Sequence, residues 1–175
     1  MNCSQSRRMD SIQIEKLLWA NKWTSKQFLG CFASDQLPSK FDKFPCCLII
    51  NLDTINKPGS HWVAAYIKNN SKCYYFDSYG PLNCLNPAYI RPKPYCISGP
   101  NSSIYDFLNN FKSVTTNKSI YQSINSSNCG HYCIYFIYSM CIGISYSNII
   151  SFLDTQFDAN YFVLKFVKNL FKLNK

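Results

Sequence analysis

The chain spaces its apolar residues in two rhythms. From Ser11 to Asn21 (SIQIEKLLWAN) they recur every three or four positions, the period of an amphipathic helix, with Asp10 or Ser11 available as its cap. The stretch that follows, QFLGCFASDQLPSKFDKFP, scatters Gly, Pro, Ser and charges among its apolar residues and reads as loop. Then the rhythm changes. Cys46 to Asp53 is a short apolar run stopped by Asn and Asp, TINKPGS supplies a turn, and HWVAAYIK gives a second strand. Asn69, Asn70 and Ser71 form a short connection into KCYYFDSYG, a third strand.

Asn83 to Pro100 carries most of the prolines and predicts an irregular loop. SSIYDFLNNFK returns to helical spacing with Ser102 or Ser103 as cap, and SIYQS, from Ser119, alternates like a short strand. Cys129 to about Ile142 is apolar nearly all round, which predicts a helix covered by protein on most sides. From Asp158 to Leu173 the tail is amphipathic, with Lys165, Lys168 and Lys172 on one face and Phe162, Phe166, Leu170 and Leu173 on another. A helix, an antiparallel meander and then more helices predict an α+β fold: a central mixed or antiparallel sheet flanked by helices. There is no repeat and no low-complexity tract, so residues 1–175 are expected to form a single domain.

Composition narrows this picture. An apolar content of 47% with 17% aromatics excludes a disordered chain. The net charge of +9 owes as much to missing acids as to added bases, since Glu15 is the only glutamate; it makes DNA or another polyanion a candidate partner. Ten cysteines would suggest disulfides in a secreted chain. The opening MNCSQSRRMDS, however, has no apolar signal core, and Cys46, Cys47, Cys133 and Cys141 sit inside apolar runs. Buried, reduced thiols in an intracellular compartment are therefore expected. Cys129, His131 and Cys133 are too crowded along one helix to share a tetrahedral metal, so no metal site is expected. The longest apolar run, Tyr132 to Tyr146, is too short to cross a bilayer, and no membrane association is expected.

Cys129 opens the apolar helix, where the helix terminus lowers a thiol's pKa, and Gly130 lets backbone approach closely. A nucleophilic thiol wants a base, and the chain has two histidines. His131 is two residues along the same helix and points elsewhere, which leaves His61, at the start of a strand. A histidine base wants a partner to fix its ring. Asp77 ends the neighbouring strand, and a three-residue connection at Asn69–Ser71 would set His61 opposite Tyr79 with Asp77 its diagonal neighbour on the same face. A two-residue connection would put them on opposite faces unless a bulge intervenes. Gln122, ahead of Cys129, offers an amide donor that could share an oxyanion hole with the Cys129 backbone N–H. Taken singly, each has a plainer reading: a core thiol, a turn histidine, a strand-ending acid, a solvated amide. Their joint order is the informative part.

That order, His61-Trp62, then FDSYG with Asp77, then Gln122, then Cys129-Gly130, resembles the adenovirus endopeptidase (adenain) group. The group belongs to a clan with the proteases that process ubiquitin-like proteins. The seven-residue step from Gln122 to Cys129 is similar to adenain's, and the Asp of YFDS resembles the proteases of Maverick/Polinton elements and related large DNA viruses. The resemblance implies a papain-like, adenain-type cysteine protease. His61 would be the base, Asp77 its orienting partner, Cys129 the nucleophile, Gln122 an oxyanion donor and Trp62 a wall of a narrow cleft favouring Gly. It implies chemistry without a cofactor, protein substrates that are structural precursors of a particle, a monomer, and a virion or host-nuclear location. Adenain is stimulated by DNA and by a peptide disulfide-bonded eighteen residues before the nucleophile. Phe111 holds that position here, so the linked form lacks its cysteine. Competing readings are a deconjugating or processing protease for a ubiquitin-like modifier, an acetyltransferase of the same clan, and a basic DNA-binding module without catalysis.

Overall fold

The computed structural model describes residues 8–80 and 102–173. The loop expected from Asn83 to Pro100 lies outside these residues. Five strands form one mixed sheet in the order β1 (Phe28–Ala33), β2 (Cys46–Asn51), β3 (Trp62–Asn69), β4 (Lys72–Phe76) and β5 (Ser113–Thr116). The central pairs β2–β3 and β3–β4 are antiparallel, whereas β1 and β5 add in parallel at the two edges. The helices are α1 (Ser11–Ala20), α2 (Ser102–Asn109), α3 (Cys129–Cys141), α4 (Tyr146–Asp154) and α5 (Ala159–Leu173). The expected α+β architecture is the one observed.

Both faces of the sheet are covered, which explains why β2 reads as an unbroken apolar run rather than an alternating one. Successive residues go to opposite sides. Cys47, Ile49, Ala64 and Phe76 join one core cluster with α1 and α3, and α5 packs on the far side of α3. Cys46, Leu48, Ile50, Val63 and Ala65 pack against Ile104, Phe107 and Leu108 of α2 and against Phe111. Asp10 caps α1 with a full capping box: its Oδ1 accepts from the Gln13 backbone N–H at 2.8 Å, and its own N–H reaches Gln13 Oε1 at 3.2 Å. On α5 the buried stripe is Val163, Val167 and Leu170, with Phe162 and Phe166 half-buried beside it and Lys165, Lys168 and Lys172 exposed. The Leu173 side chain lies outside the described set.

Three sequence expectations are corrected. QFLGCFA, read as loop, contains strand β1, whose register with β2 shifts between Phe28 and Cys31 around Gly30 (φ +138°). SIYQS is not a strand: the Tyr121 and Gln122 N–H groups both donate to the Ser78 carbonyl, at 2.9 and 3.0 Å, instead of building a ladder. The strand at that edge is SVTT, four residues with little apolar content. Helix α4 was not anticipated. Gly143 (φ +91°) stops α3, and the Ser145 hydroxyl then caps α4 by accepting from the Asn148 N–H.

The register between β3 and β4 fixes what happens at their far end. Asn69 pairs with Lys72 across a two-residue turn, but Ile67 already pairs with Cys73, so Lys68 is an extra residue in β3. Ala65 with Tyr75 and Ala64 with Phe76 continue that register. Extended to the strand ends, it sets His61 across from Tyr79 and brings His61 and Asp77 to one face.

Candidate active site

The turn before β3 aims His61. Asn51 holds it: its Oδ1 accepts from the Asp53 N–H at 3.0 Å and the Ser60 N–H at 3.2 Å. Gly59 has φ +84°, and a Cβ there would lie 2.5 Å from Asn51 Nδ2, so the position admits glycine alone without rearrangement. The Leu52 N–H donates to the His61 carbonyl at 3.0 Å and ties the turn back to β2. Asp77 is fixed from its other side. Its N–H donates to Asn117 Oδ1 at 3.0 Å, and Asn117 Nδ2 donates to its carbonyl at 2.7 Å. Asn117 thus imitates one rung of a ladder where β5 has ended.

His61 Nε2 and Asp77 Oδ1 meet at 2.8 Å, both fully buried, and the Tyr79 N–H also donates to that oxygen at 2.8 Å. The Tyr79 ring lies over the imidazole with centroids 4.7 Å apart. The imidazole and the Cys129 thiol act on each other electrostatically, and with Nε2 taken by Asp77 it is Nδ1 that is left to serve the sulfur. Thus three residues distant in sequence converge in one line, Asp77 hydrogen-bonded to His61 and His61 coupled electrostatically to Cys129.

The electrostatics follow from that line. Burial alone would push the His61 pKa down, but the charge and hydrogen bond of Asp77, helped by Cys129, raise it from 6.5 to about 9. Burial pushes the Cys129 thiol up. Against it act the His61 hydrogen bond and charge, the Trp62 backbone N–H and the Arg8 guanidinium, and together they bring it below its ordinary value. Cys129 is also the first residue of α3, beside the unpaired N–H groups of the helix terminus. The contrast with Cys133, one turn deeper, is instructive: buried without such partners, its thiol is pushed well above the ordinary value. His131 does not join the line, and burial lowers its pKa to about 4.

Gln122 is buried and fully engaged. Ser78 Oγ donates to its Oε1 at 2.7 Å, and its Nε2 donates to Tyr79 Oη at 3.0 Å and to the Ser126 carbonyl at 2.9 Å. Trp62 lies against the start of α3, its Cδ1 3.6 Å from where a Gly130 Cβ would be. Its indole N–H donates to the Met9 carbonyl at 3.0 Å, and Arg8 hydrogen-bonds the Gly59 carbonyl. On the outer side, Trp62, Arg8, Gly59, Phe32 and Ile55 help line a cleft of about 350 Å³ that does not reach Cys129 or His61 themselves. The described cysteines are all free thiols, and among the described residues no group of three or more His, Cys, Asp or Glu is placed to hold a metal. Phe111, buried between Phe41 and Phe107, lies under the opposite face of the sheet.

A family model, that of the Ulp1 protease family, C-terminal catalytic domain, matches residues 36–173. The chain belongs to the Ulp1 protease family. It is a family of cysteine proteases, needing no cofactor, and the match covers the helices and strands from β2 onward. Among curated proteins the chain is 36% identical over 110 residues to "Putative thiol protease R355" of Acanthamoeba polyphaga mimivirus. That alignment takes in 59% of this chain but 32% of the relative, so the chain spans about a third of that protein's length. Of solved structures, the ASFV protease is 22% identical with a TM-score of 0.35, covering 68% of this chain and 43% of that one. The central domain of the uncharacterized Lpg1148 protein from Legionella pneumophila is 14% identical with a TM-score of 0.43, covering 94% of this chain and 99% of that one. Family membership rests on the sequence model rather than on either likeness.

Sequence reasoning set Tyr79 opposite His61 but missed the other supports of this Ulp1-family site: Met9, Ser78, Asn117 and Ser126. Ser78 and Tyr79 lie inside the quoted FDSYG and were legible as neighbours of Asp77. Asn117 and Ser126 sit in polar loops whose spacing carries no signal.

Proposed function

We propose that this Ulp1-family domain is a cysteine endopeptidase. Cys129 is the nucleophile, His61 the general base and acid, Asp77 the group that orients and charges the imidazole, and Gln122 an oxyanion donor. The reading is carried by the buried Cys129–His61–Asp77 line, with its lowered thiol and raised imidazole. The Cys129 sulfur attacks the scissile carbonyl carbon and the carbonyl electron pair moves onto oxygen. That oxygen is held by the Cys129 backbone N–H and by one Gln122 N–H, which leaves the Tyr79 hydroxyl to reach it. Such hydrogen bonds often tighten only in the complex. His61 gives its proton to the departing amine, leaving a thioester. It then takes a proton from water, which attacks the thioester and expels the Cys129 thiolate, restoring the thiolate–imidazolium pair and freeing the product acid.

The substrates are proposed to be structural precursor proteins of a virus or mobile element, cut at Gly-containing sites during particle maturation in the virion or host nucleus. Support comes from the adenain-like spacing of Gln122 to Cys129, from Trp62 standing after the histidine, and from the viral source of the mimivirus relative. The net charge of +9 supports stimulation by DNA, and the protein is proposed to act as a single-domain monomer. The second reading is processing of a ubiquitin-like modifier, favoured by the family model itself.

A peptide-library cleavage profile separates the two: isolated Gly-containing motifs favour precursor processing, and exclusive cleavage after a Gly-Gly tail on a folded modifier favours the alternative. Cys129→Ala is expected to abolish both cleavage and labelling by a thiol-reactive peptide probe, while Cys133→Ala retains them. Full activity in Cys129→Ala would end the proposal. Equal cleavage rates with and without duplex DNA at low salt would remove the DNA cofactor.

A further inference from the structure

The tripeptide Asp77-Ser78-Tyr79 touches both His61 and Gln122. Asp77 holds the His61 ring nitrogen and Tyr79 covers the ring face. Ser78, 1% exposed, grips Gln122 twice. Its carbonyl accepts the Gln122 backbone N–H at 3.0 Å, and its hydroxyl donates to Gln122 Oε1 at 2.7 Å. The amide nitrogen at the other end of that carboxamide faces an acceptor-only group, the Ser126 carbonyl, at 2.9 Å. This decides which end is nitrogen, because a carbonyl oxygen turned toward Ser126 would meet a second carbonyl. Pinned at Oε1 by Ser78 and at one N–H by Ser126, the carboxamide plane has no freedom left. Its second N–H points to Tyr79 Oη at 3.0 Å, and the Tyr79 ring itself lies tilted over His61.

We propose that Ser78 is a positioning residue for the oxyanion donor. Its hydroxyl keeps the Gln122 carboxamide in one plane while the N–H now given to Tyr79 is handed to the substrate oxygen. The base and the oxyanion donor are thereby registered to each other through adjacent residues of one strand end. This rests on the proposed protease reading and deepens it. Ser78 acts on the transition state alone, because Gln122 meets negative charge only after attack; it takes no part in forming the thiolate–imidazolium pair.

The test is a double-mutant cycle on peptide cleavage. Ser78→Ala is expected to lower kcat about tenfold with KM within about twofold, the loss of one neutral hydrogen bond acting on the transition state. In a Gln122→Ala background the same change is expected to cost nothing further. The pH dependence of Cys129 alkylation by iodoacetamide, which needs no oxyanion hole, should be unmoved in all of these variants. Ser78→Cys, nearly isosteric with a weak donor, serves in the same cycle if Ser78→Ala does not fold. Additive losses, an unchanged kcat, or a shifted alkylation profile would each overturn the positioning role. If Gln122→Ala keeps full kcat while Cys129→Ala is dead, this inference falls and the protease reading stands; if Cys129→Ala cleaves, the reading itself falls.

Discussion

Asp77→Asn isolates the charge at the end of the line from its geometry. The amide keeps an oxygen that can accept from His61 Nε2 where the carboxylate now does, at 2.8 Å, so ring orientation is retained while the negative charge is lost. In the native protein, burial works to discharge the imidazole, and Asp77 is the main group that reverses this, raising it to about 9. Without the carboxylate, burial prevails and the imidazole returns to its ordinary 6.5 or lower. The difference corresponds to about 3 kcal/mol, or a few hundredfold in the population of imidazolium. The direction follows. Native His61 stays protonated until pH rises through about 9, so at neutral pH it faces Cys129 as a cation and favours the thiolate. In Asp77→Asn the ring is neutral at that pH, and Cys129, relieved of its counter-charge, moves up. The assay is the rate of iodoacetamide alkylation across the pH range, with cleavage followed in parallel. The acid-side plateau of fast alkylation should disappear, and kcat/KM near neutral pH should fall at least about a hundredfold. An Asp77→Asn profile that superimposes on the native one would refute the reasoning, because it would mean that the carboxylate charge does not set the imidazole.

Further outcomes follow from other contacts. Asn117→Ala removes both bonds that clamp the Asp77 backbone and should cost about 2 kcal/mol or more in urea unfolding, with kcat falling more than KM rises. Gly59→Ala forces a side chain into the left-handed region and to within 2.5 Å of Asn51 Nδ2; it should lower stability by about 1–3 kcal/mol in thermal melts and slow cleavage by displacing His61. His131 titrates at about 4 in the fold against 6.5 unfolded, so the unfolded chain takes the proton first. Its contribution is present above about pH 6.5 and lost as pH falls toward 4. His131→Gln should therefore lose less stability than the native chain between neutral pH and about pH 4.5, by roughly 2 kcal/mol, as read from urea midpoints.

The parts of this fold that were legible in the sequence are those where burial is continuous or periodic. The apolar run of β2 is buried on both faces, and the α3 segment is apolar on nearly every side because helix, sheet and α5 enclose it. The pairing of His61 with Asp77 was legible only conditionally. It needed the register that the extra residue Lys68 provides, and nothing in Asn69-Asn70-Ser71 distinguishes a bulged two-residue turn from a three-residue one. Edge structure was illegible for a physical reason. Strand β1 is half-exposed and interrupted at Gly30, and β5 is SVTT, held by parallel pairing to Lys72–Tyr75 rather than by its own side chains. SIYQS misled because its alternation is real but serves stacking: Tyr121 lies over Phe76 and Tyr132 while Ile120 faces solvent. Gln122 was singled out as a donor, yet two of its partners, Ser78 and Tyr79, lie more than forty residues away, and only tertiary folding brings them to it.

Met9 carries an implication for how such a domain is trimmed. A side chain at Gly130 would come within 3.1 Å of it, and its carbonyl receives the indole of Trp62, so a residue ahead of every described helix and strand is part of the enclosure around the start of α3. A polypeptide shortened to start at Ser11 would keep every described helix and strand, though α1 would lose its Asp10 cap, and it would leave Trp62 unmoored and Gly130 at the start of α3 uncovered. Boundaries chosen from secondary structure alone would then yield a folded protein with a damaged centre, whose inactivity would be blamed on the wrong residues.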